Sequence, residues 1–205
     1  ARPPLLTPAE LAAIPQRLDL SIGDEMELLG YRLDPAVVRP GEELRVTLYW
    51  RAKAPMERNY SVYIHLLDQN EIKIAQRDIY PGRGLFPTTH WQAGDAIADT
   101  YVIRVPDETF CPNQLQVVAG LYSLESGERL AVRDSEGREL GVSVGLGQVS
   151  VPAPAEGSIA NPVDIDYGRQ VTLAGYDLDR TTLRPGETLR LTLFWQPRRP
   201  VDPGY

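Results

Sequence analysis

The chain has 205 residues, 42% of them hydrophobic and 24% charged, and its 28 acidic and 21 basic side chains give a net charge of −7 at pH 7. This composition is typical of a folded globular domain and excludes a disordered or fibrous chain, and no apolar stretch approaches the roughly 20 residues of a membrane-spanning helix. The negative charge, without any run of Lys or Arg, also argues against a nucleic-acid partner.

The predicted secondary structure starts with one short helix and continues as strands. Thr7 and Glu10 form a capping box around Pro8, which predicts a helix over Pro8–Ile14. The predicted strands are Leu18–Ile22, Glu25–Asp34, Glu42–Arg51, Tyr60–Asp68, Ile72–Ile79, Ala96–Val105, Gln114–Tyr122, Arg129–Arg133 and Gly141–Val151. Many short strands without intervening helices predict an all-β, antiparallel β-sandwich, either immunoglobulin-like or of the jelly-roll type.

One turn and the strand after it show how the core is specified. In the segment Arg39–Glu42, Pro40 suits a φ of about −65° and Gly41 suits the positive φ of a type II turn. In the strand that follows, apolar side chains recur at every second position up to Trp50. We therefore expect Trp50 to lie on the inward face as a core anchor.

An internal repeat organises the chain. Residues 30–60 align on residues 175–205 at a constant offset of 145 without a gap, and 15 of the 31 positions are identical. The identities include the Arg-Pro-Gly-Glu turn and the tryptophan of the next strand, Trp50 and Trp195. An offset of this size is that of a whole domain, because solenoid repeats are only about 20–50 residues long. The sequence thus predicts one complete copy and the first strands of a second.

Four regions follow from the repeat. We expect an N-terminal segment with the helix over residues 1–17, a complete sandwich over 18–151, a linker over 152–160 and a truncated second copy over 161–205. The few strands of a truncated copy would lack the partners that bury their apolar face. We expect them to dock on the first copy or on another chain. Docking on another chain would give a homodimer caused by the truncation.

Motifs typical of catalysis or metal binding are few and weak. Gly141–Gly145 matches G-x-S-x-G but lies in a predicted strand, and no histidine follows it. The D-x-D segments Asp164–Asp166 and Asp177–Asp179 could place two carboxylates on one face of a strand for a divalent cation, but about one such pair is expected by chance at this Asp content, so two are weak evidence. Cys111 is the only cysteine, and His65 has no second histidine or paired acid at metal spacing, so structural roles are favoured. We predict no catalytic residue, no metal and no cofactor.

The segment 80–91 differs from this structural background. It carries Tyr80, Phe86, His90 and Trp91 among Pro, Gly and Thr residues, without a strand pattern. Aromatic rings on rigid loops can stack on sugar rings, which makes these four residues candidates for carbohydrate binding. The alternative interpretation is that the rings close one end of the sandwich.

Several ordered strings of this sequence also carry a family resemblance. They are GYRLDPAVVRPGEELRVTLYW, YSVYIHLLD, AQRD, GLFPTTHWQAGD and AGLYSLESGERL. Together they resemble a β-sandwich module of bacterial glycosyltransferase family 39 proteins, which are polyprenyl- or dolichyl-phosphate-mannose-type membrane enzymes. In those proteins the module follows the multi-span catalytic region. The resemblance implies a location outside the cytoplasm, attached to a membrane enzyme, and carries over no catalytic residue.

These observations predict a function without chemistry of its own. We expect a non-catalytic, extracytoplasmic accessory or interaction module of a bacterial membrane glycosyltransferase-like protein. Its partner would be the parent membrane region or a cell-surface glycan. The alternative is a carbohydrate-binding module that uses residues 80–91.

Overall fold

Nearly all regular structure in this protein is β-strand. The computed structural model describes residues 2–153 and 158–198. Helix α1 spans Pro8–Ala12, and one turn of 3₁₀ helix spans Thr88–His90. The strands are β1 (Gln16–Ile22), β2 (Met26–Asp34), β3 (Glu43–Ala52), β4 (Tyr60–Leu67), β5 (Lys73–Ile79), β6 (Ala96–Arg104), β7 (Asn113–Ser123), β8 (Val132–Arg133), β9 (Glu139–Gly141), β10 (Val144–Val151), β11 (Asn161–Tyr167), β12 (Val171–Leu178) and β13 (Leu191–Pro197).

The first ten strands form two antiparallel sheets around one core. One sheet has the order β6-β3-β2-β1-β8-β9 and the other the order β10-β7-β4-β5. Alternation along β3 turns the apolar residues through Trp50 inward, and these residues share one buried cluster with Val62, Ile64 and Leu66 of β4 in the facing sheet. The fold is the antiparallel β-sandwich with one short helix that the sequence predicts.

Some boundaries differ from the prediction. Helix α1 ends at Ala12 instead of Ile14, and Ile14 is buried beside Leu29 and Ala96. The predicted strand Gly141–Val151 is interrupted near its start: Gly141 is the last residue of β9 in the six-stranded sheet, and β10 of the four-stranded sheet begins at Val144. Gly141 has a φ of 118°, which breaks the extended chain where it crosses between the sheets.

The turn before β3 has the geometry that its sequence predicts. Gly41 has a φ of 82°, and the Glu42 N–H donates to the Arg39 carbonyl at 3.0 Å. The Glu42 carboxylate in turn accepts the Arg39 N–H at 2.8 Å. The side chain and the backbone therefore both close the turn.

Strands β11, β12 and β13 form a separate three-stranded sheet. Each residue pair recorded in it lies 145 positions after a pair of β1, β2 and β3; for example, Leu28 pairs with Trp50, and Leu173 pairs with Trp195. The strand irregularities recur at the same offset, as does the Arg184–Glu187 turn, in which Gly186 has a φ of 90°. The local geometry of the two sets of strands is the same.

The expected docking of these strands on the first sandwich is not what the structure shows for their apolar face. Trp195 is 48% exposed, and Leu191 and Leu193 of the same strand are also exposed. A ring contact with the sandwich is made elsewhere on the sheet, where Phe110 meets Tyr176 of β12 with centroids 6.2 Å apart. The predicted linker falls partly on residues 154–157, and the end of the predicted second copy on residues 199–205, and both lie outside the described residues.

Candidate functional site

The four rings of segment 80–91 do not form an exposed platform. Phe86 and Trp91 are 4% and 2% exposed, their rings stack at 5.3 Å, and the Trp91 indole N–H donates to the Phe86 carbonyl. Tyr80 is partly buried, and His90 is exposed at the end of the 3₁₀ turn. The two largest rings thus belong to the core and close one end of the sandwich, because burying two such rings stabilises the fold more than exposing them would.

A buried carboxylate holds this segment against strand β6. Asp99 accepts hydrogen bonds from the Tyr101 hydroxyl at 2.5 Å and from the Gly82 N–H at 2.8 Å. Burial raises the pKa of Asp99, while these two donors oppose that rise. The pKa of Tyr101 is also raised, by burial and by the adjacent Asp99 charge. The loop backbone is therefore tied to the sandwich rather than poised to open.

Polar and aromatic side chains instead gather on the outer face of the four-stranded sheet. Alternation along β4 sends Ile64 into the core, while the His65 side chain lies on the opposite face and Tyr63 lies two residues before it. The pairing registers place Asp78 beside Tyr63, and Gln76 beside His65. The result is an open depression of about 450 Å³, here called the outer-sheet depression, lined by Tyr63, His65, Lys73, Gln76, Asp78, Tyr122, Gly127 and Arg129.

Tyr63 forms the floor of the outer-sheet depression. Its ring lies against the neighbouring strand at Gly120, where any Cβ would come within 2.4 Å of the Tyr63 hydroxyl. The hydroxyl donates to the Val142 carbonyl at 2.6 Å, at the point where the chain crosses between the sheets. Burial raises the pKa of Tyr63. Gly120 and Val142 thus hold the ring in one position.

Arg129 lies over this floor. Its guanidinium carbon is 4.5 Å from the centroid of the Tyr63 ring, which is the geometry of a cation–π contact. Among the described residues, no carboxylate forms an ion pair with Arg129, and this residue is exposed. The Tyr63 ring therefore positions a charged, hydrogen-bonding group at the surface.

The imidazole of His65 forms one wall of the depression. The centroid of its ring lies 5.0 Å from that of the Tyr63 ring. The centroid of the Tyr122 ring lies 6.3 Å from that of the Tyr63 ring. Partial burial lowers the pKa of His65, and the positive charges of Lys73 and Arg129 lower it further, against the opposing charge of Asp78. These influences favour the neutral imidazole, which has one donor and one acceptor nitrogen.

The predicted strand Tyr60–Asp68 places His65 and Ile64 on opposite faces by its alternation, but the sequence does not predict the depression. Apart from Tyr63, the other lining residues come from β5, β7 and the turn after β7, between 8 and 64 positions from His65. The local signal was the pair Tyr63 and His65, two outward positions of one strand. Their partners depend on which strands become neighbours, and the sequence pattern does not specify strand order.

A reactive cysteine thiol, a metal site or an apolar spanning helix would each be a further functional feature. Cys111 is buried and contacts the Thr109 carbonyl at 3.5 Å, and burial raises the pKa of its thiol. Within residues 2–153 and 158–198, no cluster of three or more His, Cys, Asp or Glu is arranged to hold a metal ion. No helix in the same ranges is long and apolar enough to span a bilayer.

The chain matches no protein-family model and no curated protein.

Proposed function

We propose that this chain is a non-catalytic accessory module of β-sandwich type, followed in tandem by the opening strands of a second copy. The observation that carries this proposal is the shared register of β1–β3 and β11–β13 at one constant offset. Equal irregularities and equal turns at that offset are the geometry expected of a duplicated module. Tandem copies of a sandwich are suited to act as spacers or interaction surfaces.

The cellular context of the module follows from the family resemblance. The module belongs to a bacterial membrane glycosyltransferase-like protein and lies outside the cytoplasm, attached to the membrane region. Its partner is that membrane region or a cell-surface glycan. The burial of Phe86 and Trp91 argues against segment 80–91 as the surface that contacts a glycan.

The location is tested in the intact protein that carries this chain. Leu140 is 55% exposed on β9, so a Leu140→Cys variant in a Cys111→Ser background presents one thiol at the module surface. A membrane-impermeant maleimide should label intact cells that express this variant, and should label the matched protein with Leu140 retained to a lower extent. Labelling that occurs only after lysis would contradict the extracytoplasmic location.

The non-catalytic role is tested by deletion of residues 16–151 from the same intact protein. Sugar transfer from a polyprenyl-phosphate donor, measured in isolated membranes, should persist at wild-type protein levels. Loss of transfer by a protein that is still inserted in the membrane in normal amounts would overturn the proposal.

A further inference from the structure

We propose that the outer-sheet depression binds an acidic saccharide, that is, a sugar ring bearing a carboxylate. This site is separate from segment 80–91, and the inference goes beyond the accessory role because it assigns a ligand class to one surface. Its volume of about 450 Å³ lies within the range of about 300–1,000 Å³ typical of small-molecule sites. It is open, and its lining is polar and aromatic.

The aromatic residues suit a sugar ring. Tyr122 and His65 are both partly exposed and line the depression. The apolar face of a pyranose ring packs on such rings, while its hydroxyl groups need donors and acceptors around the rim. The Gln76 amide, the Asp78 carboxylate and the His65 imidazole supply both kinds of group.

The charges favour a ligand that carries a carboxylate. Lys73 and Arg129 both line the depression, against one acid, Asp78, in a chain whose net charge is −7. The Lys73 ammonium donates to the Gln76 side chain, and Arg129 rests on the Tyr63 ring, so neither cation is neutralised by a protein carboxylate among the described residues. A guanidinium binds a carboxylate through two parallel hydrogen bonds, which gives such a ligand a defined orientation.

The site is organised before any ligand arrives. The Tyr63 floor is fixed by its hydrogen bond to Val142 and by close packing on Gly120. Because the floor is fixed, the Arg129 guanidinium above it loses less freedom when it binds a ligand than an unsupported arginine would. The strands of the sheet likewise hold His65, Gln76 and Asp78 in register.

The inference is tested on this chain alone by titration with trigalacturonate, trimannuronate and a hyaluronan tetrasaccharide. Isothermal calorimetry gives the affinity, and amide chemical shifts locate the ligand. At least one probe should bind and should shift the amides of β4, β5 and the turn after β7. Methyl esterification of its carboxylates should weaken that binding about tenfold or more, because the charge-assisted hydrogen bonds are lost.

Variants separate this site from general surface charge. Arg129→Gln and, independently, Lys73→Gln should each weaken binding about tenfold. Arg129→Lys should retain only part of the wild-type affinity, because an ammonium lacks the planar pair of N–H donors of a guanidinium. The matched control is Arg32→Gln, which removes the same charge from an exposed position of β2 in the other sheet. Equal thermal midpoints would show that the variants are folded.

Three results would overturn the inference. The first is that no acidic probe binds at concentrations up to about 10 mM. The second is that the methyl esters bind as tightly as the free acids, which would identify a site for neutral sugars. The third is that both Arg129→Gln and Lys73→Gln leave the affinity unchanged. Because these measurements do not involve the membrane protein, they can fail while the accessory role stands, and the deletion experiment can fail while binding persists.

Discussion

Two sets of three strands in this molecule have the same backbone geometry and different surroundings. Trp50 of β3 is 0% exposed, whereas Trp195 at the corresponding position of β13 is 48% exposed. In the first set a four-stranded sheet packs over this face, and in the described part of the chain no second sheet packs over β11–β13. Turns, registers and irregularities are therefore set locally, while burial depends on the partner sheet.

The comparison also separates local from cooperative stability. Both sets of strands have the same turn hydrogen bonds. In both, one glycine, Gly30 or Gly175, also lies close to the backbone of the neighbouring strand. The large hydrophobic contribution is present only where the apolar face is covered, since it scales with the area removed from water. Paired substitutions at equivalent positions measure each contribution.

The largest difference is expected at the two tryptophans. Trp50→Ala should lower the free energy of unfolding by about 3–5 kcal/mol, because it leaves a cavity in the core. Trp195→Ala should change it by less than about 0.5 kcal/mol, because the side chain is already half in solvent. Urea unfolding followed by circular dichroism, at a protein concentration at which the chain is monomeric, measures both. Similar losses in the two variants would show that the Trp195 face is covered within the monomer.

The next effect concerns the two glycines that approach a neighbouring strand. A Cβ at Gly30 would lie 2.2 Å from the Gln16 carbonyl oxygen, and one at Gly175 would lie 2.4 Å from that of Asn161. Gly30→Ala should destabilise the whole sandwich by about 1–3 kcal/mol through overpacking. Gly175→Ala should lower amide protection in β11–β13 alone, as read by hydrogen exchange. Loss of protection in both sheets after Gly175→Ala would mean that they unfold as one unit.

Association should depend on the exposed face of β13. Leu191, Leu193 and Trp195 form an apolar surface of the kind that drives self-association. We expect the chain to dimerise with rising concentration in sedimentation velocity, and Trp195→Asp to weaken dimerisation about tenfold. Leu140→Asp, at a similarly exposed apolar position on β9, is the control. A wild-type chain that stays monomeric would contradict the expected homodimer.

The free energy of unfolding of the sandwich should depend on pH through the buried Asp99. Burial raises the pKa of Asp99, so the folded state holds this proton more tightly than the unfolded state does. The resulting contribution to stability is fully present below the ordinary Asp pKa of about 4 and is lost as pH rises through the raised value. Asp99→Asn should therefore reduce the decline in sandwich stability above pH about 4. An unchanged pH profile, measured by urea unfolding from acid to neutral pH, would contradict this.

The smallest effects are expected at the two turns. Glu42 and Glu187 each accept the backbone N–H of the arginine three residues earlier, at 2.8 and 3.0 Å. Glu42→Ala and Glu187→Ala should each cost about 0.5–1.5 kcal/mol, the ordinary contribution of one hydrogen bond. Hydrogen exchange in β3 and β13 measures the two losses separately. Unequal losses would show that the turns also depend on the partner sheet.

The sequence alone determined the elements of this protein. Period-two alternation placed the strands and turned Trp50 inward, and Pro40 and Gly41 specified a turn whose geometry the structure confirms. The helix was predicted from its capping box, with its end two residues too late. These features depend on residues close together in the chain, because backbone preference and strand pleating are local properties.

Only the tertiary structure decided which rings are buried and which strands are neighbours. The composition of segment 80–91 is compatible with rings turned inward or outward, and burial of Phe86 and Trp91 depends on the open end of the sandwich that they fill. The outer-sheet depression requires β4 to lie between β5 and β7, which brings Arg129 over Tyr63 from 66 positions away in the chain. Strand order follows from the packing of whole sheets, and no local pattern encodes it.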